Sequence, residues 1–205
     1  MAMNKFNNVA KFYDNFFVQI FYFFVHRQNI KIVKEFIKEK TKILDIGCGT
    51  GNFLNKIEKI DKKLKLVGTD RSEEMIKIAK NKFKNINFFL TSADNLPFEN
   101  NYFDLITIID AFYYFKNKDR VIFECHRTLK TGAHLFIYIP SIDAFSSRLL
   151  IKFSKCFPTE MESKHLRFVE LKNVTEKYGF SIVVKKLKYF PFTPLKYWSL
   201  VLTKK

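Results

Sequence analysis

The chain has 205 residues, 47% of them hydrophobic and 27% charged, which excludes a disordered or fibrous protein and predicts one domain with an ordinary core. The 36 lysines and arginines against 20 aspartates and glutamates give a net charge of +16. A nucleic-acid or anionic membrane surface would explain this excess, but the basic residues are spread along the chain with no run longer than a pair. We therefore expect the charge to reflect coding bias, because Lys, Asn, Ile and Phe are all abundant.

The three cysteines, Cys48, Cys125 and Cys156, are widely spaced and form no C-x-x-C pair. This pattern predicts reduced thiols in a cytoplasmic protein, without a disulfide framework or a metal site. The apolar stretch from Phe16 to Val25 is shorter than the ~20 residues of a membrane-spanning helix. No cleavage site of a signal peptide follows it. It is predicted to be a buried or lid helix, with a helix on a membrane surface as the alternative.

Helices and strands alternate after this segment. A second helix is predicted to carry Ile30, Val33, Phe36 and Ile37 on one face. The predicted strands begin at Ile43 and continue as Leu64 to Asp70, Ile86 to about Ser92, Phe103 to Asp110, and Leu135 to Ile139. Three helices are predicted between them. The first buries Phe53, Leu54, Ile57 and Ile60, and the second, capped by Ser72, buries Met75, Ile78, Ala79 and Phe83. The third runs from about Asp119 to Leu129, buries one face, and is ended by Gly132. Strict alternation predicts a parallel sheet with right-handed crossovers and helices on both faces.

The region from Ser141 to Arg167 interrupts the alternation. Within it, Phe145 to Phe157 is predicted to form an extra helix. A short helix from Leu171 to Tyr178 follows, and Ser181 to Lys188 and Tyr197 to Thr203 are the last predicted strands. These patterns indicate a doubly wound α/β sheet with an insertion near its carboxyl end.

The segment from Asp45 to Gly51 reads D-x-G-x-G-x-G, so that a strand breaks into a glycine turn and then opens a helix. Three glycines leave bare backbone that a ligand can approach, and the helix is expected to direct unsatisfied N–H groups at it. A dinucleotide turn has a different spacing, G-x-G-x-x-G. A phosphate is disfavoured beside a carboxylate, whereas an aspartate in the turn suits a ligand with an amino group. S-adenosylmethionine (SAM) is such a ligand.

Acids recur at or just past the ends of the first four strands, at Asp45, Asp70, Asp94 and Asp110. Each one alone is typical of a turn or cap. Ligands of doubly wound sheets bind beyond the carboxyl ends of the strands, where these four acids would meet. Asp70 follows Gly51 by 19 positions, the separation expected for a ribose-binding acid. Asp94 is placed to accept a hydrogen bond from an adenine amino group.

With these residues, the chain resembles the class I SAM-dependent methyltransferases, in particular the small-molecule branch related to ubiquinone and menaquinone biosynthesis. The matching blocks are Ala10 to Asp14, Ile43 to Phe53, Ala93 to Phe98 with Phe103-Asp104, and Glu124 to Gly132. Thr131 and Ala133 depart from the family pattern, which has a proline and a second glycine in the turn before strand five.

The resemblance implies a Rossmann-like doubly wound sheet of seven strands, mostly parallel, with the last strand antiparallel. It also implies N-terminal helices and a small insert after strand five that form a lid. The whole chain, 1–205, is expected to be one domain. Its parts are a helical lid (1–40), a cofactor-binding core (41–140), a substrate-side insert (141–168) and a C-terminal helix with the last strands (169–205).

The family's cofactor is SAM, and its product is S-adenosyl-L-homocysteine (SAH). By resemblance, Asp45 and the glycines hold the methionine end, Asp70 the ribose, and Asp94 with Asn95 and Leu96 the adenine. The predicted cofactor-binding residues are Tyr13, Asp45, Gly47, Cys48, Gly49, Gly51, Asn52, Asp70, Arg71, Met75, Ala93, Asp94, Asn95, Leu96 and Asp110. Met75 also belongs to the predicted buried stripe of its helix.

The sulfonium methyl is already activated, so transfer is expected to be an in-line displacement without a covalent enzyme intermediate. Tyr13, Asp110 and Tyr113 are the predicted catalytic residues, the two tyrosines as aromatic faces for the sulfonium. The candidates for a general base or for orienting the acceptor are Asp110, Tyr113, Tyr114, His26 and His165.

Three functions remain open. The favoured one is a methyltransferase for a small apolar or aromatic acceptor, such as a lipid or quinone precursor. The others are an RNA or protein methyltransferase that uses the basic surface, and a SAM-binding protein without catalytic activity. Ile109-Asp110-Ala111-Phe112 lacks the Asn/Asp-Pro-Pro-Tyr/Phe of amide and base-amino methyltransferases, which by family analogy favours the first. We expect a monomer or homodimer. Peripheral membrane contact is compatible with this interpretation, and nucleic acid is not an expected partner.

Overall fold

A computed structural model of the chain describes residues 10, 15–143, 145–154, 163–189 and 195–205. The helices are α1 (Phe16–Val33), α2 (Asn52–Glu58), α3 (Glu73–Lys82), α4 (Lys118–Thr128), α5 (Phe145–Ser154) and α6 (Phe168–Lys177). The strands are β1 (Lys42–Ile46), β2 (Lys65–Asp70), β3 (Asn87–Leu90), β4 (Phe103–Ile109), β5 (Leu129–Pro140), β6 (Phe180–Tyr189) and β7 (Lys196–Lys204). Two short 3-10 turns, Lys34–Phe36 and Phe112–Tyr114, complete the pattern.

The strands form one seven-stranded sheet in the order β3-β2-β1-β4-β5-β7-β6. The neighbours from β3 to β5 are parallel, and β7 runs antiparallel to both β5 and β6. Leu44 of β1 faces Val67 on one side and Ile106 on the other, so the central strands are buried and almost continuously apolar. The predicted fold class, a mostly parallel Rossmann-like sheet with an antiparallel last strand, is confirmed.

The core has two apolar layers, one on each face of the sheet. Successive residues of a strand point to opposite faces, so Leu44 lies in one layer and Ile43 in the other. The first layer packs against α4 and α6, and the second against α1, α2 and α3. The sheet is therefore covered on both sides, and its carboxyl edge stays available for a site.

Helix α1 differs from the two helices predicted for this part of the chain. It runs unbroken for 18 residues, because His26, Arg27 and Gln28 are all compatible with a helix. Its second half belongs to the core through Val25, Ile32 and Val33, whereas Phe23 is 49% exposed. Helix α1 is therefore only partly buried, and its predicted role as a lid stays a prediction. Ile60 was also misassigned to a core face, since it follows α2 and is 42% exposed.

The junction between α4 and β5 also departs from prediction. Helix α4 ends at Thr128, and Leu129 already pairs with Phe103 of β4. The register then shifts before His134 pairs with Leu105, so Gly132 lies in an irregular part of β5 and does not end the helix. Its φ of 75° explains the glycine there. The departures at Thr131 and Ala133 fall in the same irregularity.

The insert after β5 begins at the carboxyl edge of the sheet. Asp143 accepts hydrogen bonds from the Trp198 indole at 3.0 Å and from the Phe168 backbone N–H at 3.1 Å. Ser147 of α5 accepts one from the Lys196 backbone N–H at 2.9 Å. Helix α5 is described as far as Ser154, and the remainder of the predicted helix, to Phe157, lies outside the described residues. Among the described residues, no helix is long and apolar enough to cross a membrane.

Candidate active site

The glycine turn between β1 and α2 adopts the left-handed conformations that its sequence requires. Gly47, Gly49 and Gly51 have φ values of 76°, 53° and 80°. A Cβ added at Gly47 would lie 2.6 Å from the Cβ of Ala111, and one at Gly51 would lie 2.7 Å from the Phe88 ring. The turn therefore packs closely between Ala111, just after β4, and Phe88 of β3, and no side chain can be accommodated at these two positions.

Several N–H groups of the turn itself are already used within the protein, and the free donors predicted at the start of α2 stay a prediction. The N–H groups of Gly47 and Cys48 donate to the Thr69 carbonyl at 2.8 and 3.0 Å. Gly51 donates to the Cys48 carbonyl, and Gly49 to the Asp70 carboxylate at 3.0 Å. A phosphate cradle needs such donors directed at the ligand, so the turn does not suit a pyrophosphate.

Asp45 is a buried acid on the wall of the cavity formed at this edge. Its side chain is 2% exposed, and its Oδ1 accepts a hydrogen bond from the Thr107 hydroxyl at 2.6 Å. Burial raises the pKa of Asp45 to about 7, against the opposing effect of the Thr107 bond. A cationic ligand group beside it would favour the charged carboxylate, so this position fits an ammonium.

Asp70 ends β2 and joins the turn to α3. Its Oδ2 accepts from the Gly49 N–H at 3.0 Å, and its Oδ1 accepts from the Ser72 N–H at 2.9 Å. Burial raises its pKa, and these two hydrogen bonds oppose the rise. Each carboxylate oxygen can accept a second hydrogen bond, so the partly exposed group can receive a pair of vicinal hydroxyls such as those of ribose.

The cavity has a volume of about 170 Å³ and lies at the carboxyl ends of β1, β2 and β4. The predicted cofactor residues on its wall are Asp45, Gly47, Cys48, Gly49, Asn52, Asp70, Arg71, Met75, Ala93, Asp94 and Asp110. Met75 is only 2% exposed, so it is a core residue that also borders the cavity. Burial raises the pKa of the Cys48 thiol, which keeps it protonated and unsuited to a nucleophile.

Other predicted residues do not line the cavity. Gly51, the last residue of the turn, packs against Phe88. Asn95 is exposed, and Leu96 is buried with its N–H bonded to Glu124. Tyr113 is 7% exposed and its ring stacks on His165 at 4.4 Å, away from the cavity wall. Burial raises its pKa well above the usual range, so it stays protonated. Tyr13 lies outside the described residues.

Asp110 follows β4 directly and carries a backbone conformation unusual for a residue with a side chain. Its φ is 55°, and its N–H donates to the Tyr138 carbonyl at 2.9 Å. Left-handed residues other than glycine cost energy and concentrate at functional sites. Asp110 is 8% exposed and borders the cavity, as do the neighbouring Tyr114 and Phe115.

One face of α1 supplies a wall that was not among the predicted cofactor residues. Gln19, Tyr22 and His26 border the cavity at helical spacing, and Gln19 accepts a hydrogen bond from the Asn52 amide at 3.3 Å. The His26 ring lies 5.3 Å from the Phe53 ring. Burial, with a smaller effect of Lys56, lowers the pKa of His26 to about 3, so the imidazole is neutral. The spacing of these polar residues in an apolar segment was the available signal.

Comparison with known proteins agrees with this geometry. Residues 44–137 match the family model of a methyltransferase domain. A demethylmenaquinone methyltransferase of Thermotoga maritima is 35% identical over 66% of this chain and 60% of its own length. One of Chlorobaculum tepidum is 32% identical over 76% of this chain and 70% of its own. The chain thus spans less than two thirds of the first relative's length and slightly more than two thirds of the second relative's length.

Among solved structures, a SAM-dependent methyltransferase of Thermotoga maritima superposes with a TM-score of 0.79. The alignment covers 98% of this chain and 99% of that one, at 23% identity, and so shows a shared fold. The fold, the glycine turn, the matched domain and the relatives point to one conclusion. The chain belongs to the class I SAM-dependent methyltransferases.

Proposed function

We propose that the protein transfers the methyl group of SAM to a small apolar or aromatic acceptor of the quinone-precursor type. The observation that carries the proposal is the pairing of a buried acid, Asp45, with a glycine turn whose N–H groups are used internally. This site favours a cationic amino-acid end over a phosphate. The two relatives described above are demethylmenaquinone methyltransferases, which supports the acceptor class.

The residues that border the cavity fit SAM along its whole length. Asp45 would face the ammonium, and Gly47 and Gly49 would leave room for the methionine chain. Asp70 would accept the ribose hydroxyls, and the segment from Thr91 to Asp94 would border the adenine. SAM supplies a methyl group already activated by the positive sulfonium, so the protein needs no covalent chemistry of its own.

The work of the protein is then to orient the acceptor and to exclude water. Orientation alone can supply ~7–11 kcal/mol of the barrier. Asp110 lies at the cavity edge where an acceptor hydroxyl would approach, and we assign it the role of holding or accepting that proton. His26 is neutral, so it can orient an acceptor hydroxyl without adding a charge that would repel the sulfonium.

The cavity wall also suits an aromatic acceptor. Tyr22, Phe53, Tyr114 and Phe115 border it, and aromatic faces attract cations such as a sulfonium. Tyr13 remains a prediction for the same role. Pockets with aromatic walls and a few polar groups favour ligands of the same character.

The test is methyl transfer from labelled SAM to a panel that contains reduced demethylmenaquinone, a simple catechol, bulk RNA and a mixture of peptides. We expect label in the quinone-type acceptor. Asp110→Asn should lower kcat by about 100-fold or more, with the KM for SAM nearly unchanged. Label confined to RNA or peptide would move the assignment to the second class of acceptor, and SAM binding without transfer to any of them would contradict catalysis.

A further inference from the structure

The loop between β3 and β4, residues 91–102, forms one side of the cavity but contains no helix or strand. Its first part, from Thr91 to Asp94, borders the cavity, and the rest passes behind it. A loop of this length has many accessible conformations, so something must select the one that leaves the cavity open.

Helix α4 holds this loop through a set of hydrogen bonds to its backbone. Arg127 donates to the Leu96 carbonyl at 2.9 Å and to the Phe98 carbonyl at 2.7 Å. Glu124 accepts from the Leu96 N–H at 3.0 Å, and Arg120 donates to the Asp94 carbonyl at 3.3 Å. Positions 120, 124 and 127 lie on one face of the helix, so a single rigid element fixes three successive parts of the loop.

Glu124 is the centre of this arrangement. Its side chain is 2% exposed, and Arg127 binds it through two nitrogens at 3.1 and 2.7 Å. Arg120 adds an ion pair at 3.2 Å. Burial raises the pKa of Glu124, but the bonds from Arg127 and Leu96 outweigh it and the pKa is lowered overall. The carboxylate is therefore charged, paired and geometrically fixed.

We propose that Glu124 and Arg127 are positioning residues for the cofactor, which act on its adenine end through the backbone of residues 94–98. The inference rests on the proposed function, because it needs adenine to bind beside this loop. Neither side chain lines the cavity, and both would affect binding only through the loop. The alternative is that the network stabilises the fold and leaves the cofactor affinity alone.

The two accounts differ in how ligand fragments respond. In Glu124→Gln and Arg127→Lys, the dissociation constants of SAH and of adenosine alone should rise by the same factor, about tenfold. A factor of this size is the order expected for weakening a hydrogen bond to a charged group. The Leu96 amide should exchange its hydrogen faster in both variants. Asp45→Asn should weaken SAH but leave adenosine unchanged, because it acts at the other end.

Asp119→Asn is the matched control. Asp119 lies on the same helix and also accepts two hydrogen bonds, but from Lys177 at the end of α6 and from Tyr178 just after it. We expect it to lower stability without changing either dissociation constant. The Arg120 side chain is 47% exposed, so we expect Arg120→Gln to fold even if Glu124→Gln does not. It should raise both constants by a smaller common factor.

Unchanged dissociation constants in folded Arg127→Lys and Arg120→Gln would overturn the inference and leave the proposed function standing. A rise for SAH without a rise for adenosine would also overturn it. Failure of the wild-type protein to bind SAH would instead overturn the proposed function, and the inference with it.

Discussion

The carboxyl of Asp45 is 2% exposed, and burial raises its pKa from 3.8 to about 7. The folded state therefore binds this proton more tightly than the unfolded state. The stabilisation that this bound proton provides is present below about pH 4, is lost as the pH rises towards 7, and stays absent above pH 7. At about 1.4 kcal/mol for each pH unit, the loss is at most about 4 kcal/mol.

Asp45→Asn should remove this loss of stability at high pH, because the amide does not ionise. Its oxygen can still accept the Thr107 hydrogen bond. We expect the variant to be more stable than the wild type at pH 8 by about 1–4 kcal/mol, and equally stable near pH 4. Denaturant unfolding at the two pH values measures the difference. A gain of the same size at both pH values, or a loss at pH 8, would contradict the electrostatic account.

A second prediction concerns the close approach at Gly47. Gly47→Ala places a Cβ 2.6 Å from that of Ala111 and also carries the cost of a φ of 76°. Gly132→Ala is the matched control, since its φ is 75° but a Cβ there meets nothing within 4 Å. We expect a destabilisation of about 1 kcal/mol for Gly132→Ala and at least about 2 kcal/mol for Gly47→Ala.

Only the Gly47 variant should lose SAH binding, because only that substitution displaces the turn. Calorimetric titration of both variants with SAH separates the two effects. Equal binding by both would mean that the cofactor does not contact this turn.

For individual residues, the sequence predicted the positions of the acids better than those of the aromatic side chains. Asp45, Asp70 and Asp110 could be placed because the chain order of a parallel sheet brings strand ends to one edge. Tyr113 and Tyr114 are neighbours in a 3-10 turn with ring centroids 4.3 Å apart, but only Tyr114 borders the cavity. The direction of each depends on how that turn packs, and no local pattern fixes it.

Among the elements, α1 connects the cavity to the core. Its second half contributes Val25, Ile32 and Val33 to the core, and its first half reaches the start of α2 through the contact of Gln19 with Asn52. Asn52 also donates to the Thr50 hydroxyl at 3.1 Å and accepts from Lys82 at 2.9 Å, so it links α1 to α3. From this arrangement we expect the first turns of α1 to act as a cover that detaches without unfolding the core.

Gln19→Ala should therefore speed SAH dissociation by up to about fivefold, the equivalent of one neutral hydrogen bond, with little loss of stability. Gln28→Ala, on the same helix but away from the cavity, is the control. Stopped-flow displacement of SAH measures the two rates. Identical rates for Gln19→Ala, Gln28→Ala and the wild type would show that α1 does not retain the ligand.

The boundaries of elements were harder to predict than their order. Gly132 is a common helix-ending signal, but pairing of Leu129 with Phe103 extends β5 back to the end of α4. Likewise, two helices were predicted where one continuous helix forms, and Val25, Ile32 and Val33 of that helix all pack in the core. Both errors come from tertiary contacts that a local pattern does not contain.

For the whole molecule, the net charge of +16 raises the question of a polyanion. Exposed lysines occur at opposite edges of the sheet, such as Lys84 beside β3 and Lys186 in β6. Basic residues dispersed in this way give weak, salt-sensitive attraction and no defined groove. We expect binding of bulk RNA at physiological salt to be weak and independent of sequence. Tight, selective binding in a filter assay would favour an RNA acceptor.

The central claim is that the glycine turn, Asp45 and Asp70 together bind SAM and not a dinucleotide. Calorimetric titration of the wild-type protein with SAM, SAH and NAD tests it most directly. The account predicts micromolar-class dissociation constants for SAM and SAH and no heat of binding for NAD, because the turn offers a buried carboxylate where a pyrophosphate needs donors. Binding of NAD without binding of SAM would contradict it.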